Sequence, residues 1–220
     1  MSVRLVSPTP GANLLDKIAM MARVSNPNNQ ENTKTAEKLV RYLIKHKHWS
    51  PFEMANVVLE INTTRDIGRQ ILRHRSFSFQ EFSQRYADVG DIGTSTQLKE
   101  ARMQDKSNRQ NSIVLDNDSR LHYLWSQRQQ EVLNLANFAY KWALENGIAK
   151  EQARAVLPEG MTGTTLYMAG TLRSWIHYCR LRMANGTQLE HAEIAKKCWE
   201  IIGGHFPSVR EAVDALDVID

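Results

Sequence analysis

Arg73-His74-Arg75-Ser76-Phe77-Ser78-Phe79-Gln80-Glu81-Phe82-Ser83-Gln84-Arg85-Tyr86 is the stretch on which the reading of this chain turns. Upstream, Arg65 to Leu72 has a helical pattern with Ile67, Ile71 and Leu72 on one side. Were that helix to continue, Arg73, His74 and Arg75 would stand about 100° apart and aim at three different places. Beyond them the period changes to two, with Phe77 and Phe79 on one parity and Ser76, Ser78 and Gln80 on the other. After Gln80 the parity inverts, so that Phe82, Gln84 and Tyr86 lie opposite Glu81, Ser83 and Arg85, and the inversion predicts a bulge or tight turn. A helix running into a strand implies a mixed fold. Guanidinium forks bind phosphate oxygens bidentately and stay charged, so three arginines beside serines point to a phosphorylated ligand. Basic residues at a helix C-terminus also answer the helix dipole and can simply be solvated.

On the N-terminal side, Arg4 to Val6 reads as a short strand and Asn13 to Val24 as a helix with Leu14, Ile18, Met21 and Ala22 inward. Ala36, Leu39, Val40 and Leu43 recur at helical spacing and lead into Lys45-His46-Lys47-His48. Ala55 to Asn62 alternates Val57, Leu59 and Ile61 with Asn56, Val58, Glu60 and Asn62, which predicts a strand with one wet face. On the C-terminal side, residues 88-118 are poor in apolar side chains and read as a long loop, either an active-site flap or a surface excursion. Ser119 is a good N-cap for the longest helix, whose stripe Leu121, Leu124, Trp125, Val132, Leu135, Ala136, Ala139 and Trp142 is expected in the core, before Asn146-Gly147 stops it. Ala149 to Leu157 reads as a further helix ended by Pro158, with Arg154 at the edge of its apolar side. From Thr171 the stripe Leu172, Trp175, Ile176, Cys179 and Met183 defines another helix, and Arg182 lies about 80° from its centre, where a long side chain can reach into a crevice. Helical stretches over Leu189 to Ile202 and Ser208 to Leu216 close the chain. The expectation is one α+β domain over 1-220, helix-rich with a small, mostly antiparallel sheet.

Charge excludes little by itself: 28 Lys and Arg against 24 Asp and Glu leave a net charge of +4, so the basic residues matter by clustering rather than by number. There is no N-terminal apolar signal region and no apolar run long enough to span a membrane. Cys179 and Cys198 lack pairing or ligand spacing, and a reducing, cytoplasmic setting is the simplest inference. No Walker or Rossmann glycine pattern occurs, so a dinucleotide would have to be neutralised by side chains such as Arg73, Arg75 and Arg173. His46-x-His48 lacks a third ligand at a recognisable spacing, and no metal is expected. Ser83 has no histidine and carboxylate near it in sequence, and reads as a hydroxyl donor to a ligand rather than as a nucleophile.

The RHR of Arg73-His74-Arg75, seven residues, then the S-x-R of Ser83 and Arg85, resembles the signature of the flavin-dependent thymidylate synthases. His48-Trp49-Ser50-Pro51-Phe52-Glu53 is similar to that family's H-x-[ST]-P-F-E element, Gln70 precedes the RHR by its usual interval, and Ala153-Arg154-Ala155-Val156-Leu157-Pro158 looks like its A-R-x-x-L-P element. Leu181-Arg182, Gln188 and Glu190 follow in order, so the resemblance runs from about Ala12 to Ile202. It implies methylation of dUMP to dTMP, with FAD as hydride carrier, NADPH as reductant, methylenetetrahydrofolate as one-carbon donor and no enzyme nucleophile. It implies a homotetramer with flavin between subunits and active sites at their interfaces. It assigns Arg182 as the residue activating the uracil, and Gln70, Glu81, Ser83, Arg85 and Arg154 with Arg182 as dUMP contacts. Ser50, Arg73, His74, Arg75, Arg173 and His177 match flavin-contacting positions, and His48 lies where folate and nucleotide approach. A nucleic-acid surface built on Arg73 to Tyr86 would explain the arginines and aromatics, but it leaves His48 to Glu53, Arg154 and Arg182 unused, and no nucleic-acid or membrane partner is expected.

Overall fold

The computed structural model describes residues 1–9, 13–86, 96–116 and 119–216. In chain order the elements are β1 (Ser2–Pro8), α1 (Leu14–Ala22), α2 (Ala36–Lys45), β2 (Asn56–Thr64), α3 (Arg65–Ile71), β3 (Ser78–Glu81), β4 (Arg102–Gln104), β5 (Ser112–Val114), α4 (Arg120–Glu145), α5 (Lys150–Ala153), β6 (Gly163–Thr171), α6 (Leu172–Met183), α7 (Leu189–His205) and α8 (Pro207–Asp214), with short 3-10 turns between some of them. The fold is α+β: strands β1-β2-β6-β3 form one sheet in that order, every neighbouring pair antiparallel, and β4 and β5 make a separate hairpin.

Two strands pass straight into helices, β2 into α3 and β6 into α6. At the second junction Thr171 caps α6, its hydroxyl accepting from the Ser174 amide at 3.2 Å. The period-two pattern of β2 holds: Val57, Leu59 and Ile61 are buried and stand opposite Gly170, Met168 and Leu166 of β6. Trp175, Ile176, Ile194 and Cys198 complete this core, and the Trp175 indole N–H donates to the Val57 carbonyl at 3.1 Å. Burying each large apolar side chain here contributes about 2 kcal/mol. The other face of the sheet is wetter, as its polar residues predict: Arg4 pairs with Glu60, and the Thr165 hydroxyl donates to the side-chain oxygen Oδ1 of Asn62 at 2.6 Å.

Several expectations are corrected. No bulge interrupts β3: Ser78, Phe79, Gln80 and Glu81 pair in unbroken register with Ala169, Met168, Tyr167 and Leu166. Glu81 takes the inward slot that follows Phe77 and Phe79, opposite Leu166, and the apparent phase change is a carboxylate in an apolar position. Thr164 donates to Glu81 Oε1 at 3.0 Å and Arg65 Nη1 lies 3.6 Å from the same oxygen, which makes the position tolerable. Gly68 lets α3 sit this close, since a Cβ there would stand 3.3 Å from Thr164 and 3.5 Å from Glu81. The buried set of α1 is Leu14, Ile18 and Ala19, with Met21 and Ala22 only half-buried. The helix expected over Ala149 to Leu157 is the single turn α5 followed by a 3-10 turn over Arg154–Val156.

The expected loop over 88-118 is not without structure: it holds the β4–β5 hairpin, while residues 87–95 and 117–118 lie outside the described ones. Lys99 and Gln129 exchange hydrogen bonds of 2.8 Å, and Arg102 forms a largely buried pair with Glu190 at the start of α7. α4 overturns the expected core stripe except at Ala136, which is buried. The buried positions are Gln129, Leu133, Ala136, Tyr140 and Ala143, whereas Leu135 is 70% exposed and Trp142 53% exposed. The helix has two apolar faces, and the one with the larger side chains stays largely exposed.

Candidate functional site

The RHR segment lies just past the end of α3, in turns rather than in helix, so its three side chains do diverge. His74 turns inward, its ring edge-on to Tyr178 with centroids 4.8 Å apart. Arg73 and Arg75 turn outward, are exposed, and make no ion pair or side-chain hydrogen bond among the described residues.

His74 is the hinge of the first group. Arg182, near the end of α6, donates from Nε to His74 Nε2 at 2.9 Å, so that ring nitrogen carries no proton. Burial, then the charges of Arg182 and Arg73, pull the His74 pKa down to about 4. Behind it, Gln70 donates from Nε2 to Gln188 Oε1 at 2.7 Å, and its Oε1 lies 3.2 Å from Nδ1 of His191. The Tyr178 hydroxyl reaches His191 Nε2 at 3.1 Å. Gln70, His74 and Arg182 are thus brought together by two residues, Tyr178 and His191, that motif reading missed. A histidine between Glu190 and Ala192 on a mostly apolar helix reads as filler, and only its fully buried position beside Gln70 and Tyr178 shows otherwise.

A second group lies past β3. The Ser83 hydroxyl accepts from the Arg85 amide at 3.4 Å, Arg85 Nε is 3.4 Å from Glu151 Oε2, and Arg154 Nε donates to the Glu151 carbonyl at 3.3 Å. Arg85 and Arg154 therefore share Glu151, a residue not singled out by motif. Glu81 is separated from them by its inward orientation and serves Arg65 and Thr164.

The third group surrounds the start of α6. Arg173 pairs with Glu53 at 2.6 Å, and Thr171 donates to the other Glu53 oxygen at 2.7 Å. The Thr171 hydrogen bond and then Arg173 hold the Glu53 carboxyl below its ordinary range. His177 stacks edge-on against Trp49 with centroids 4.9 Å apart, and its pKa is lowered by burial and then by Arg173 and Arg180. Ser50 opens the adjoining 3-10 turn and is exposed, as is His48, which faces Tyr42 with ring centroids 6.2 Å apart.

α6 sets the spacing of the groups. Arg173 and Arg182 are nine residues apart, roughly 14 Å along the helix and half a turn around it, so one chain presents them in opposite directions. No hydrogen bond or ion pair among the described residues joins Arg182 to Arg85 or Arg154. The donors exposed here, guanidinium, imidazole, amide and hydroxyl, are those that bind phosphate and carbonyl oxygens.

Comparison with known proteins agrees over nearly the whole chain. The family model described as thymidylate synthase complementing protein matches residues 4–208. A protein of Paramecium bursaria Chlorella virus 1 named probable flavin-dependent thymidylate synthase is 50% identical over 221 residues, covering 97% of this chain and 99% of the relative. The flavin-dependent thymidylate synthase of Synechocystis sp. (strain ATCC 27184 / PCC 6803 / Kazusa) is 46% identical over 222 residues, covering 97% of this chain and 100% of the relative. Among solved structures, the UMP/dUMP methylase PolB from Streptomyces cacaoi bound with 5-Br dUMP superposes with a TM-score of 0.84 at 26% identity, covering 97% of this chain and 94% of that one.

Proposed function

Because this chain belongs to the flavin-dependent thymidylate synthase family, whose members methylate dUMP to dTMP, we propose that it does so with FAD, with methylenetetrahydrofolate as one-carbon donor and with NADPH as reductant. Converting the hydrogen on the fifth ring carbon to a methyl group needs a methylene unit and a hydride; a folate that gives only the methylene leaves the hydride to a carrier that an external two-electron donor must recharge. Bound flavin supplies that hydride.

The residues fit a flavin dinucleotide. Its pyrophosphate needs fixed positive charge, which the uncommitted guanidiniums of Arg73 and Arg75 offer, and Arg173 keeps part of its fork open beside Glu53. Neutral imidazoles at His74 and His177 and the exposed hydroxyl of Ser50 are suited to the polar edges of a flavin ring. His48 stands at the rim, open to a folate.

For the nucleotide, Ser83, Arg85 and Arg154 hold the phosphate, Gln70 addresses the base, and Arg182 stabilises negative charge developing on a ring carbonyl as the fifth carbon becomes nucleophilic. Glu81 supports this edge from below by holding Arg65, its carboxylate being engaged at 3.0 Å by Thr164. No side-chain nucleophile is needed: the protein orients its ligands and excludes water.

The single observation that carries this assignment is the pairing of Arg182 with an unprotonated His74, which aims a guanidinium while leaving its terminal nitrogens uncommitted. The opposed directions of Arg173 and Arg182 on α6 and the large apolar face of α4, where Leu135, Phe138 and Trp142 lie exposed, support assembly, which we take to be a homotetramer. Composite sites at subunit interfaces would bring together donors that one chain keeps apart. The main core draws on α1, α2, β2, α3, β6, α6, α7 and α8, from both ends of the chain, with a smaller cluster of Tyr140, Ala143 and Ala153 beside it, which supports reading residues 1–220 as one domain. Two free buried cysteines fit the proposed cytoplasmic setting, and no helix of the described residues is long and apolar enough to cross a membrane.

Purified protein should show the visible absorbance of bound flavin, and with methylenetetrahydrofolate and NADPH it should release tritium from dUMP labelled on the fifth ring carbon. A colourless protein that takes up no flavin on reconstitution would overturn the assignment.

A further inference from the structure

We propose that Tyr178 and His191 form a directed hydrogen-bond relay that sets the polarity of the Gln70 and Gln188 amides, so that the pyrimidine site favours a ring carbonyl over an exocyclic amine and hence dUMP over dCMP. This rests on placing the base of dUMP at Gln70.

The direction of each bond follows from chemistry. A carboxamide oxygen cannot donate, so the 3.2 Å contact between Gln70 Oε1 and His191 Nδ1 places the imidazole proton on Nδ1. Nε2 is then bare and accepts from the Tyr178 hydroxyl at 3.1 Å. With its oxygen held by His191, Gln70 turns its amide nitrogen the other way, where it donates to Gln188 Oε1 at 2.7 Å. Gln188 in turn has its oxygen engaged and its amide nitrogen free to donate. The result is a line of four side chains whose uncommitted N–H groups, one on Gln70 and two on Gln188, are all donors.

Burial makes this direction stiff. His191 is fully buried and Tyr178 is 2% exposed, so water does not compete for the inner two links. Reversing one amide alone would set oxygen against oxygen or N–H against N–H between Gln70 and Gln188. Burial and the charge of Arg182 also keep His191 neutral, its pKa lowered to about 3, so the tautomer persists at working pH. Gln70 and Gln188 are only partly buried, and that end of the line can reach a ligand. Donors arranged this way match a carbonyl oxygen and oppose the amine that dCMP carries in its place; sites built around such hydrogen bonds discriminate strongly.

The test compares His191→Leu with His191→Asn, because asparagine places an amide nitrogen where Nδ1 lies and can still donate to Gln70. In the flavin-loaded protein, His191→Leu should weaken dUMP binding about tenfold and narrow the dUMP to dCMP affinity ratio by a similar factor, whereas His191→Asn should stay within about threefold of the parent in both. Tyr178→Phe, which frees the tautomer without removing the ring, should narrow the ratio as well, and it serves if His191→Leu does not fold. Equal behaviour of the leucine and asparagine variants, or a ratio unchanged in His191→Leu or in Tyr178→Phe, would overturn the relay. Nitrogen NMR of the parent provides the separate arm: a His191 proton found on Nε2 sinks the relay even if dUMP binds, whereas a parent that fails to bind dUMP with the proton on Nδ1 sinks the dUMP assignment and, with it, the selectivity.

Discussion

Arg182 and His74 meet through one hydrogen bond, Nε to Nε2 at 2.9 Å, that closes a sequence separation of 108 residues. A guanidinium is always protonated, so the imidazole facing it must be the acceptor and cannot take up a second proton without breaking the bond. The charge state of one residue therefore controls the aim of the other.

Stability should fall as pH falls from about 6.5 toward about 4. His74 has its folded pKa lowered from 6.5 to about 4, and His191 from 6.5 to about 3, so between those values the unfolded chain binds more protons than the folded one. The neutral-histidine contribution is fully present above pH 6.5 and is lost as pH drops through this window. Urea midpoints taken across the window should decline, with a shallower decline in His74→Asn. An equal slope in the variant would remove His74 from the account.

Arg182→Ala should abolish dTMP formation, with turnover down by at least about a hundredfold to a thousandfold, the cost of removing one charge-stabilising donor. The fold should survive, since Arg182 is only partly buried and, among the described residues, its one side-chain hydrogen bond is to His74. Loss of its charge should also let the His74 pKa rise, readable by NMR titration. Near-normal turnover would refute the assigned role.

Ser83→Ala and Arg154→Ala should act mainly on nucleotide affinity, raising KM for dUMP by about tenfold with kcat less affected. These residues belong to a group that Arg182 does not touch. Complete inactivity of Ser83→Ala with unchanged dUMP affinity would instead argue for a chemical role.

Glu81→Ala should destabilise the fold by about 3 kcal/mol, because it strands a buried guanidinium. The Arg65 side chain is only 7% exposed, and its other carboxylate, Glu159, lies at 3.9 Å. Chemical denaturation checks this directly; a change below about 1 kcal/mol would show that Arg65 finds full compensation elsewhere.

Leu135→Asp with Trp142→Asp on α4 should shift the assembly to smaller species and remove activity with it. Sedimentation of the variant beside the parent decides the matter. An unchanged assembly would place the subunit contacts on another surface.

How far the sequence was legible differs from element to element. The strand of Val57, Leu59 and Ile61 and the stripe of Leu172, Trp175, Ile176 and Cys179 came through because each has a single buried face and an unmixed period. α4 misled because it has two apolar faces, and periodicity cannot tell which one its own chain covers. Glu81 imitated a change of phase because a carboxylate stands in an inward slot, made tolerable by Arg65, 16 residues earlier, and Thr164, 83 residues later. His191 carried no local signal, since its partners Gln70 and Tyr178 come from other helices.

What the sequence determined by itself was the helical and extended periods, the ordered motifs and the kinds of donor they supply, all of which are properties of neighbours along the chain. Which donors point together was decided only by tertiary structure. Arg182 is paired with His74, Arg85 with Glu151 and Glu81 with Arg65 because helices and strands distant in sequence pack at fixed angles. Side-chain direction at that precision is a consequence of packing, and no one-dimensional pattern contains it.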